Sequence, residues 1–404
     1  MLTPYKKIFQ YPEAKKFALV GIICRFPQPI YQMSILFVTY SYISSWAIPA
    51  TLASTVALTY ALATPFFASL IDKYGQSFIT LKLTIIYLCS LTGLICTFIF
   101  HLPYLFLFLF AGLSGISQYY YGSLTRTRWN YIIKNPKHLH TAYAYESACD
   151  DFAFILGPVI GVILANSPLP IISLLIVFLI AGTGNLFFAT LKSTEPPIKK
   201  TNHQEITADK NLIKPIITIH GVPFCVATAF ILGVNFGLTN VTISAIYTKA
   251  GYSIISGFVL AIGSISSLVG GLLYGLIHTN IPQTKRMLIL TILTMCVLIN
   301  YTYTYNNIFF IPIVVFGAGF VVAPLFTCLN SLMRDIVPNA RLTQGFSWIS
   351  STVNLGSAAG SLIAGITIDK ISIQTSLIIL IFIFAIWNLI SYPWSKAIKI
   401  DKFV

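Results

Sequence analysis

Long runs of apolar residues constrain this chain more than any other feature of its sequence. Twelve such runs follow one another, and each approaches or exceeds the roughly 20 residues that cross a bilayer as one helix. Only 9% of the 404 residues are charged, against about 25% in a soluble domain. This composition excludes a soluble enzyme, a DNA-binding protein and a disordered scaffold, and it predicts an all-α membrane protein. The predicted spans are 17–40, 49–71, 78–100, 104–124, 141–165, 170–191, 216–247, 253–277, 286–302, 308–331, 342–366 and 374–392.

The placement of the basic residues predicts how the chain is oriented. Of its 25 lysines and arginines, 22 fall before the first span, in the loops after even-numbered spans, or after the last span. Only Lys249 and Lys370 fall on the opposite side, and Arg25 lies within the first span. The positive-inside rule then places both termini in the cytoplasm, and we expect the chain to lie in the plasma membrane. The net charge of +14 therefore reflects topology, and no nucleic-acid partner is expected.

The chain divides into two similar halves around its longest polar stretch. Six predicted spans precede this stretch and six follow it. Gly157 and Gly161 of the fifth span recur 199 residues later as Gly356 and Gly360 of the eleventh. This repetition predicts two pseudo-symmetric six-helix bundles that arose by duplication. The predicted units are an N-terminal bundle at 1–191, a cytoplasmic loop at 192–215 and a C-terminal bundle at 216–404.

The first and fifth predicted spans contain charged residues, and charge within a membrane is costly and usually functional. Glu146 and Asp150 are four residues apart and share one helix face, whereas Asp151 is turned by about 100°. Arg25 lies at a similar depth in the first span, so we expect it to pair with Asp150 or Asp151. Unless a second arginine reaches Glu146, one carboxyl group remains to carry a proton. A static ion-pair lock is the alternative.

Polar residues recur on the first, fourth, seventh and tenth spans, which occupy equivalent places in the two halves. They either line one aqueous substrate cavity, which we favour, or form hydrogen bonds between helices. The predicted cavity residues are Gln28, Gln32, Ser117, Gln118, Tyr121, Asn235, Thr239 and Asn330.

The loop after the second span carries a recognisable motif. Asp72, Lys73 and Gly75 resemble the signature G-x-L-x-D-[RK]-x-G of the major facilitator superfamily (MFS) of secondary transporters. Ala68 replaces the first glycine, and the basic pair that follows is missing unless Lys82 substitutes for it. With two halves of six spans, the resemblance covers the whole chain. It implies the MFS fold, alternating access, and a cytoplasmic gate at Asp72, Lys73 and Gly75 that closes against the eleventh span.

The fifth span adds a second resemblance. Gly157, Pro158 and Gly161 are similar to the antiporter signature of the same superfamily. Drug:proton antiporters of this family usually carry an arginine early in the fourth span, which is absent here, and we hypothesise that Arg25 and the fifth-span carboxylates replace it. The resemblance implies proton-coupled export of a small drug-like or metabolite-like compound by a monomer that is not an enzyme.

Other functions remain open at this stage. The same fold suits an importer of a nutrient or of an organic anion that pairs with Arg25. A membrane-embedded lipid enzyme would need a cluster of catalytic residues, for which only His138 and His140 are candidates. A sensor would usually carry an added soluble domain. We expect a small-molecule substrate, protons and the lipid bilayer as partners, and neither a cofactor nor a metal.

Overall fold

The computed structural model describes residues 3–197, 216–276, 281–337 and 342–397, and within these ranges the chain is helical without strands. Residues 198–215 of the predicted central loop lie outside the described residues. Ten of the described helices are long and apolar enough to cross a membrane. The α-helices are α1 (Thr3–Ile8), α2 (Ala14–Ile23), α3 (Pro27–Ile43), α4 (Ala47–Tyr74), α5 (Gln76–Ile99), α6 (Tyr104–Ser117), α7 (Tyr121–Ile132), α8 (Pro136–Ala165), α9 (Ile172–Thr190), α10 (Val222–Lys249), α11 (Ser253–Leu276), α12 (Gln283–Thr304), α13 (Ile311–Ile336), α14 (Leu342–Lys370) and α15 (Ile373–Ala397).

The first and fourth predicted spans are each broken into two helices. In the first, α2 ends at Ile23 and α3 begins at Pro27, whose ring has no N–H to continue a helix. In the fourth, Gln118 and Tyr120 have extended backbone with ψ of 142° and 98°. The expectation of one continuous helix in these two spans is therefore wrong. Counted as crossings, the ten long helices and the two broken pairs make the twelve that the sequence predicts.

The chain forms two compact units. The first comprises Met1–Ser44 and Leu62–Lys200, and the second comprises Ser45–Ala61 and Thr201–Val404. The first part of α4 belongs to the second unit, and the rest of α4 belongs to the first.

In the first unit, the glycines of the antiporter-like motif bring α8 close to α3. A Cβ atom on Gly157 would lie 2.5 Å from the ring of Pro29, and one on Gly161 would lie 2.7 Å from the carbonyl oxygen of Ile30. Only glycine allows this approach. In a membrane, where no hydrophobic force acts between helices, such close packing holds the helices together. The motif thus fixes α8, with its carboxylates, against the first span.

In the second unit, the counterpart glycines make the same kind of contact. A Cβ atom on Gly356 would lie 2.1 Å from the carbonyl oxygen of Phe230, and one on Gly360 would lie 2.2 Å from that of Val234. Thus α14 packs on α10 as α8 packs on α3. The recurrence of the glycine pair after 199 residues therefore corresponds to equivalent helix packing in two halves of the same architecture.

The first part of α4 is attached to α14 within the second unit. The carboxylate of Asp369 accepts hydrogen bonds from the backbone N–H of Trp46 at 2.9 Å, from that of Ala47 at 2.8 Å and from the Ser45 hydroxyl. This side chain therefore caps the N-terminus of α4, where the first N–H groups have no partner in their own helix.

Replacing this cap should loosen the start of α4. We expect Asp369→Ala to remove about 0.5–2 kcal/mol of local stability, the usual value of an N-cap. Amide exchange at Trp46 and Ala47 should then speed up by up to roughly 30-fold, since 1.4 kcal/mol is a factor of ten. Asp335→Ala is the matched control, because Asp335 is another carboxylate of the same unit and pairs with Arg334. Equal exchange rates in the two variants would contradict the capping role.

Candidate functional site

The guanidinium group of Arg25 is the centre of a buried charge network in the first unit. Arg25 lies in the turn between α2 and α3 and is only 6% exposed. Its Nε donates to Asp150 at 2.6 Å, and its Nη1 donates to the carbonyl oxygen of Gly21 at 2.8 Å. Its Nη2 donates to the Thr125 hydroxyl at 3.0 Å and to the carboxylate of Glu146. All three guanidinium nitrogens are therefore engaged.

The carboxylate of Glu146 is completely buried on α8. Besides Arg25, it accepts hydrogen bonds from the hydroxyl of Thr125 and from the indole Nε1 of Trp129 at 2.6 Å. A buried charge is tolerated only when it is paired and hydrogen-bonded, and these three donors meet that condition. Thr125 and Trp129 are four residues apart on α7, so one helix face supplies two of the three donors.

The carboxylate of Asp150, one turn further along α8, is held by a different set of donors. It lies between Arg25 and Arg126, whose Nη2 is 2.7 Å away. The phenol of Tyr120 donates to it at 2.5 Å, and Arg126 also donates to that phenol at 3.1 Å. Tyr120 is the last residue before α7, so the break in the fourth span brings its side chain to this carboxylate.

The charges of the network balance without Asp151. Arg25 and Arg126 face Glu146 and Asp150, which gives two positive and two negative groups. The structure thus contains the Arg25–Asp150 pair, but the second arginine reaches Asp150 rather than Glu146. Asp151 is half-buried and has no ion pair or hydrogen bond within the described part of the chain. The carboxyl group in excess is therefore that of Asp151.

A narrow cleft opens beside the network. Its volume of about 10 Å³ holds one water molecule at most, so in this conformation it admits water and not an organic compound. Aromatic and polar side chains share its lining. The lining residues are Cys24, Arg25, Gln28, Tyr119, Tyr120, Tyr121, Asp150, Ala153 and Phe154.

Of the other cavity residues predicted for the first unit, Tyr121 lines this cleft and Gln32, Ser117 and Gln118 do not. Gln32 is half-buried. The hydroxyl of Ser117 donates to its own helix, at the carbonyl oxygen of Leu113, 2.7 Å away. Gln118 donates to the phenol of Tyr87 at 3.2 Å. The ring of Tyr121, which also touches the cleft, packs edge-on against Phe188. The break after Ser117 removes the single helix face that the sequence had suggested for these residues.

The remaining predicted cavity residues belong to the second unit. Asn235 is 5% exposed, and its side-chain oxygen has no hydrogen-bond partner among the described residues. The hydroxyl of Thr239, one turn further along α10, is also without a partner there. Asn330 donates to the carbonyl oxygen of Phe326 on its own helix at 2.8 Å. These three residues stay predictions as substrate contacts.

The gate motif lies at the junction of α4 and α5. Gly75 has φ of 92°, a left-handed conformation that favours glycine, and it separates the two helices. Lys73 is exposed, and the side chain of Asp72 lies outside the described residues. Glu195 caps α5 by accepting hydrogen bonds from the backbone N–H of Ser77 at 2.9 Å and from its hydroxyl at 2.5 Å.

Arg128 lies near this motif and not in the charge network. It is fully buried and donates to the side-chain oxygen of Gln76 at 2.9 Å and to the carbonyl oxygen of Leu191 at 2.6 Å. Its guanidinium lies 4.1 Å from the centre of the Phe188 ring. Arg128 therefore ties α7 to the start of α5 and to the end of α9.

Sequence reasoning missed Thr125 and Trp129 because the fourth span was expected to end at residue 124, and it missed Tyr120 because that span was expected to be one continuous helix. The only available signal was the four-residue spacing of Thr125 and Trp129, next to the basic residues that follow the span. Within the described ranges, no group of three His, Cys, Asp or Glu residues has the arrangement of a metal site.

Comparisons with known proteins agree with this architecture. The family model described as "Major Facilitator Superfamily" matches residues 28–304 and 283–398. A mutant of the nucleoside transporter NupG has a similar fold, with a TM-score of 0.74 at 12% identity over 94% of this chain and 99% of that chain. An inward-facing bacterial homologue of the iron transporter ferroportin has a TM-score of 0.73 at 12% identity, over 95% of this chain and 98% of that chain. A bacterial homologue of the lysosomal transporter Spinster has a TM-score of 0.70 at 14% identity, over 95% of this chain and 97% of that chain. No curated protein matches the sequence significantly. At such low identities the structural likeness shows the fold alone.

Proposed function

Because a family model matches nearly its whole length, this chain belongs to the major facilitator superfamily, and we propose that it exports a small organic compound in exchange for protons. Membership makes it a multi-pass membrane transporter and not an enzyme. The similar folds include a nucleoside transporter and a bacterial homologue of an iron transporter, so the fold does not determine the substrate. We place the protein in the plasma membrane as a monomer with both termini in the cytoplasm, in line with its basic loops.

The observation that carries proton coupling is the position of Asp150 between two arginines. A proton on this carboxylate would remove the charge that holds Arg25 and Arg126, and both pairs would weaken together. Arg25 lies at the break in the first span, and Arg126 follows the break in the fourth. Protonation would therefore act on two helix junctions, which is how a proton would bias alternating access.

Asp151 supports the same proposal as a site of proton entry. Its carboxylate is half-buried, lies next to Asp150 in the chain and has no ion pair among the described residues. Its position next to Asp150 on α8 would let it pass a proton to that carboxylate. Intramembrane carboxylates without a fixed partner are the usual proton carriers of transporters.

The hydrogen bonds of Arg25 help to decide between two functions, which are proton-coupled export and the import of an anion that would bind to Arg25. All three of its guanidinium nitrogens have partners within the protein. An anionic substrate would have to displace Glu146 or Asp150 to reach it. The geometry therefore supports a role in coupling over capture of an anionic nutrient.

For the substrate we propose an aromatic or amphipathic compound. Three tyrosines and a phenylalanine lie around Gln28 at the water-sized cleft, and once alternating access widens the cleft, such rings would offer flat contacts to aromatic ligands. The two halves would rock around a cavity to which Asn235, Thr239 and Asn330 also contribute. The loop with Asp72, Lys73 and Gly75 would close the cytoplasmic side.

Proton coupling is tested on purified protein in liposomes with a pH-sensitive dye inside. A gradient with an acidic lumen is imposed, and lipophilic cations, aromatic drugs, sugars and organic acids are added outside one at a time. Antiport alkalinises the lumen when a substrate enters, whereas symport acidifies it. We expect alkalinisation with an aromatic or amphipathic compound. Acidification with an organic acid would instead establish the importer.

We expect Asp150→Asn to reduce substrate-dependent proton movement at least tenfold, because its amide cannot titrate. Asp151→Asn should slow proton movement to a smaller extent. Glu13→Gln is the control, since Glu13 forms an exposed pair with Lys16 and should behave as the parent protein. Full pH-driven transport by both aspartate variants would refute the coupling role.

A further inference from the structure

The segment that precedes the first span has one buried side and one basic side. Ile8, Ala14 and Phe17 are completely buried, with 0% of each residue exposed. Between and beside them, four lysine side chains are exposed. They are Lys6, Lys7, Lys15 and Lys16. We call residues 6–17 the N-terminal segment.

The buried side of the N-terminal segment rests on the charge network. The ring of Phe17 packs edge-on against Trp129 with 4.7 Å between ring centres, and Phe9 packs against the same indole at 6.2 Å. Trp129 in turn donates to Glu146 at 2.6 Å. The position of the segment therefore affects a residue that holds a buried carboxylate.

The exposed side carries more positive charge than its neighbours neutralise. Of the four lysines, only Lys16 has an acidic partner among the described residues, Glu13 at 2.9 Å. The hydrogen bond between Tyr11 and His138 attaches the segment to α8. The segment thus carries four lysines and one carboxylate, an excess of three positive charges.

We propose that this surface binds the headgroups of anionic phospholipids, and that the bound lipid holds the N-terminal segment against Trp129. Because α2 continues from the segment into the first span, its lysines lie at the level of the headgroups. An acidic leaflet attracts each nearby lysine with about a fivefold gain in association. Headgroups are present there at high local concentration, which a soluble acidic partner is not. The inference uses the proposed orientation of the chain but is independent of proton coupling.

Lipid association is measured in vesicles that contain spin-labelled phosphatidylglycerol or spin-labelled phosphatidylcholine. The parent protein should prefer phosphatidylglycerol at least tenfold, and the preference should shrink as salt is raised, because screening shortens the reach of the charges. Replacing Lys6, Lys7, Lys15 and Lys16 by glutamine should bring the preference close to one. Lys249→Gln with Lys370→Gln is the matched control, because these lysines fall on the opposite side, and it should retain the preference.

Since basic residues also set topology, a milder variant accompanies the fourfold one. Lys6→Gln with Lys7→Gln leaves 20 of the 22 basic residues on the same side, so the chain should insert normally and lose about half of the logarithm of the preference. Arginine at all four positions should preserve it. The same double substitution should also change the intrinsic tryptophan fluorescence. This change should be larger in phosphatidylglycerol, where bound lipid holds the segment of the parent protein on Trp129, than in phosphatidylcholine.

Three outcomes would overturn the inference. The first is a lipid preference that survives the fourfold substitution in correctly inserted protein. The second is a loss of the lipid preference in the control variant, Lys249→Gln with Lys370→Gln, that is as large as the loss in the fourfold variant. The third is displacement of the lipid by a soluble acidic peptide at micromolar concentration, which would assign the surface to a protein partner. None of these measurements requires transport, so a failure of the proposed function would be seen separately.

Discussion

Arg25→Gln is expected to abolish proton-coupled transport and to lower the stability of the protein by about 3–5 kcal/mol, the usual cost of removing one partner of a buried ion pair. Glu146 would keep only its donors from Thr125 and Trp129, which carry no positive charge. Asp150 would keep Arg126. The loss of stability should therefore arise mostly at Glu146, which is measurable as a lower thermal unfolding midpoint in detergent.

A second substitution separates the structural part of this effect from the functional part. Combined with Arg25→Gln, Glu146→Gln removes the uncompensated charge and should restore most of the stability. The changes in unfolding free energy caused by substitutions at neighbouring groups of this kind do not simply add, and a double-mutant cycle measures the coupling between them. Glu13→Gln, which breaks only the exposed pair with Lys16, should cost less than about 1 kcal/mol. If the double variant transports with full proton coupling, the network is a static lock.

Gly237→Ala should prevent the second unit from folding. A Cβ atom at this position would lie 2.0 Å from the carbonyl oxygen of Ser357, far inside any real contact. Because the obstacle is backbone, α10 and α14 would have to move apart along their whole contact. Overpacking costs about 1–3 kcal/mol where side chains can adjust, and we expect more here. Gly360→Ala, 2.2 Å from the carbonyl oxygen of Val234, should behave in the same way.

The chain offers a matched control for these glycine substitutions. A Cβ atom on Gly182 of α9 would lie 3.6 Å from the side chain of Leu88, an ordinary van der Waals distance. Gly182→Ala should therefore be neutral, or slightly stabilising because alanine favours a helix over glycine. The measurement is the yield of monodisperse protein and its unfolding midpoint. Normal folding of Gly237→Ala would show that α10 and α14 are not in close contact.

The sequence alone determined the class of this protein, its twelve crossings and three of the four charged residues at the centre of the site. The number of crossings can be predicted from the sequence because the thickness of the bilayer fixes the length of each apolar run. Arg25, Glu146 and Asp150 stand out because ionisable groups are rare within such spans. The 199-residue spacing of the glycines similarly indicated two equivalent halves.

Only the tertiary structure decided how the charges are partnered and where the helices break. Periodicity gives the faces of one helix but not the rotation and depth of its neighbours, so Arg126 could not be assigned to Asp150, nor Trp129 to Glu146. The breaks at residues 24–26 and 118–120 escaped detection because each lies within an apolar run long enough to cross the bilayer. The N–H groups of Cys24, Arg25 and Gln118 still bond to carbonyl oxygens of the preceding turn. The side chains that meet at the breaks, such as Asp150 with Arg25 and Tyr120, come from distant parts of the chain, and a pattern read along the chain does not contain those contacts.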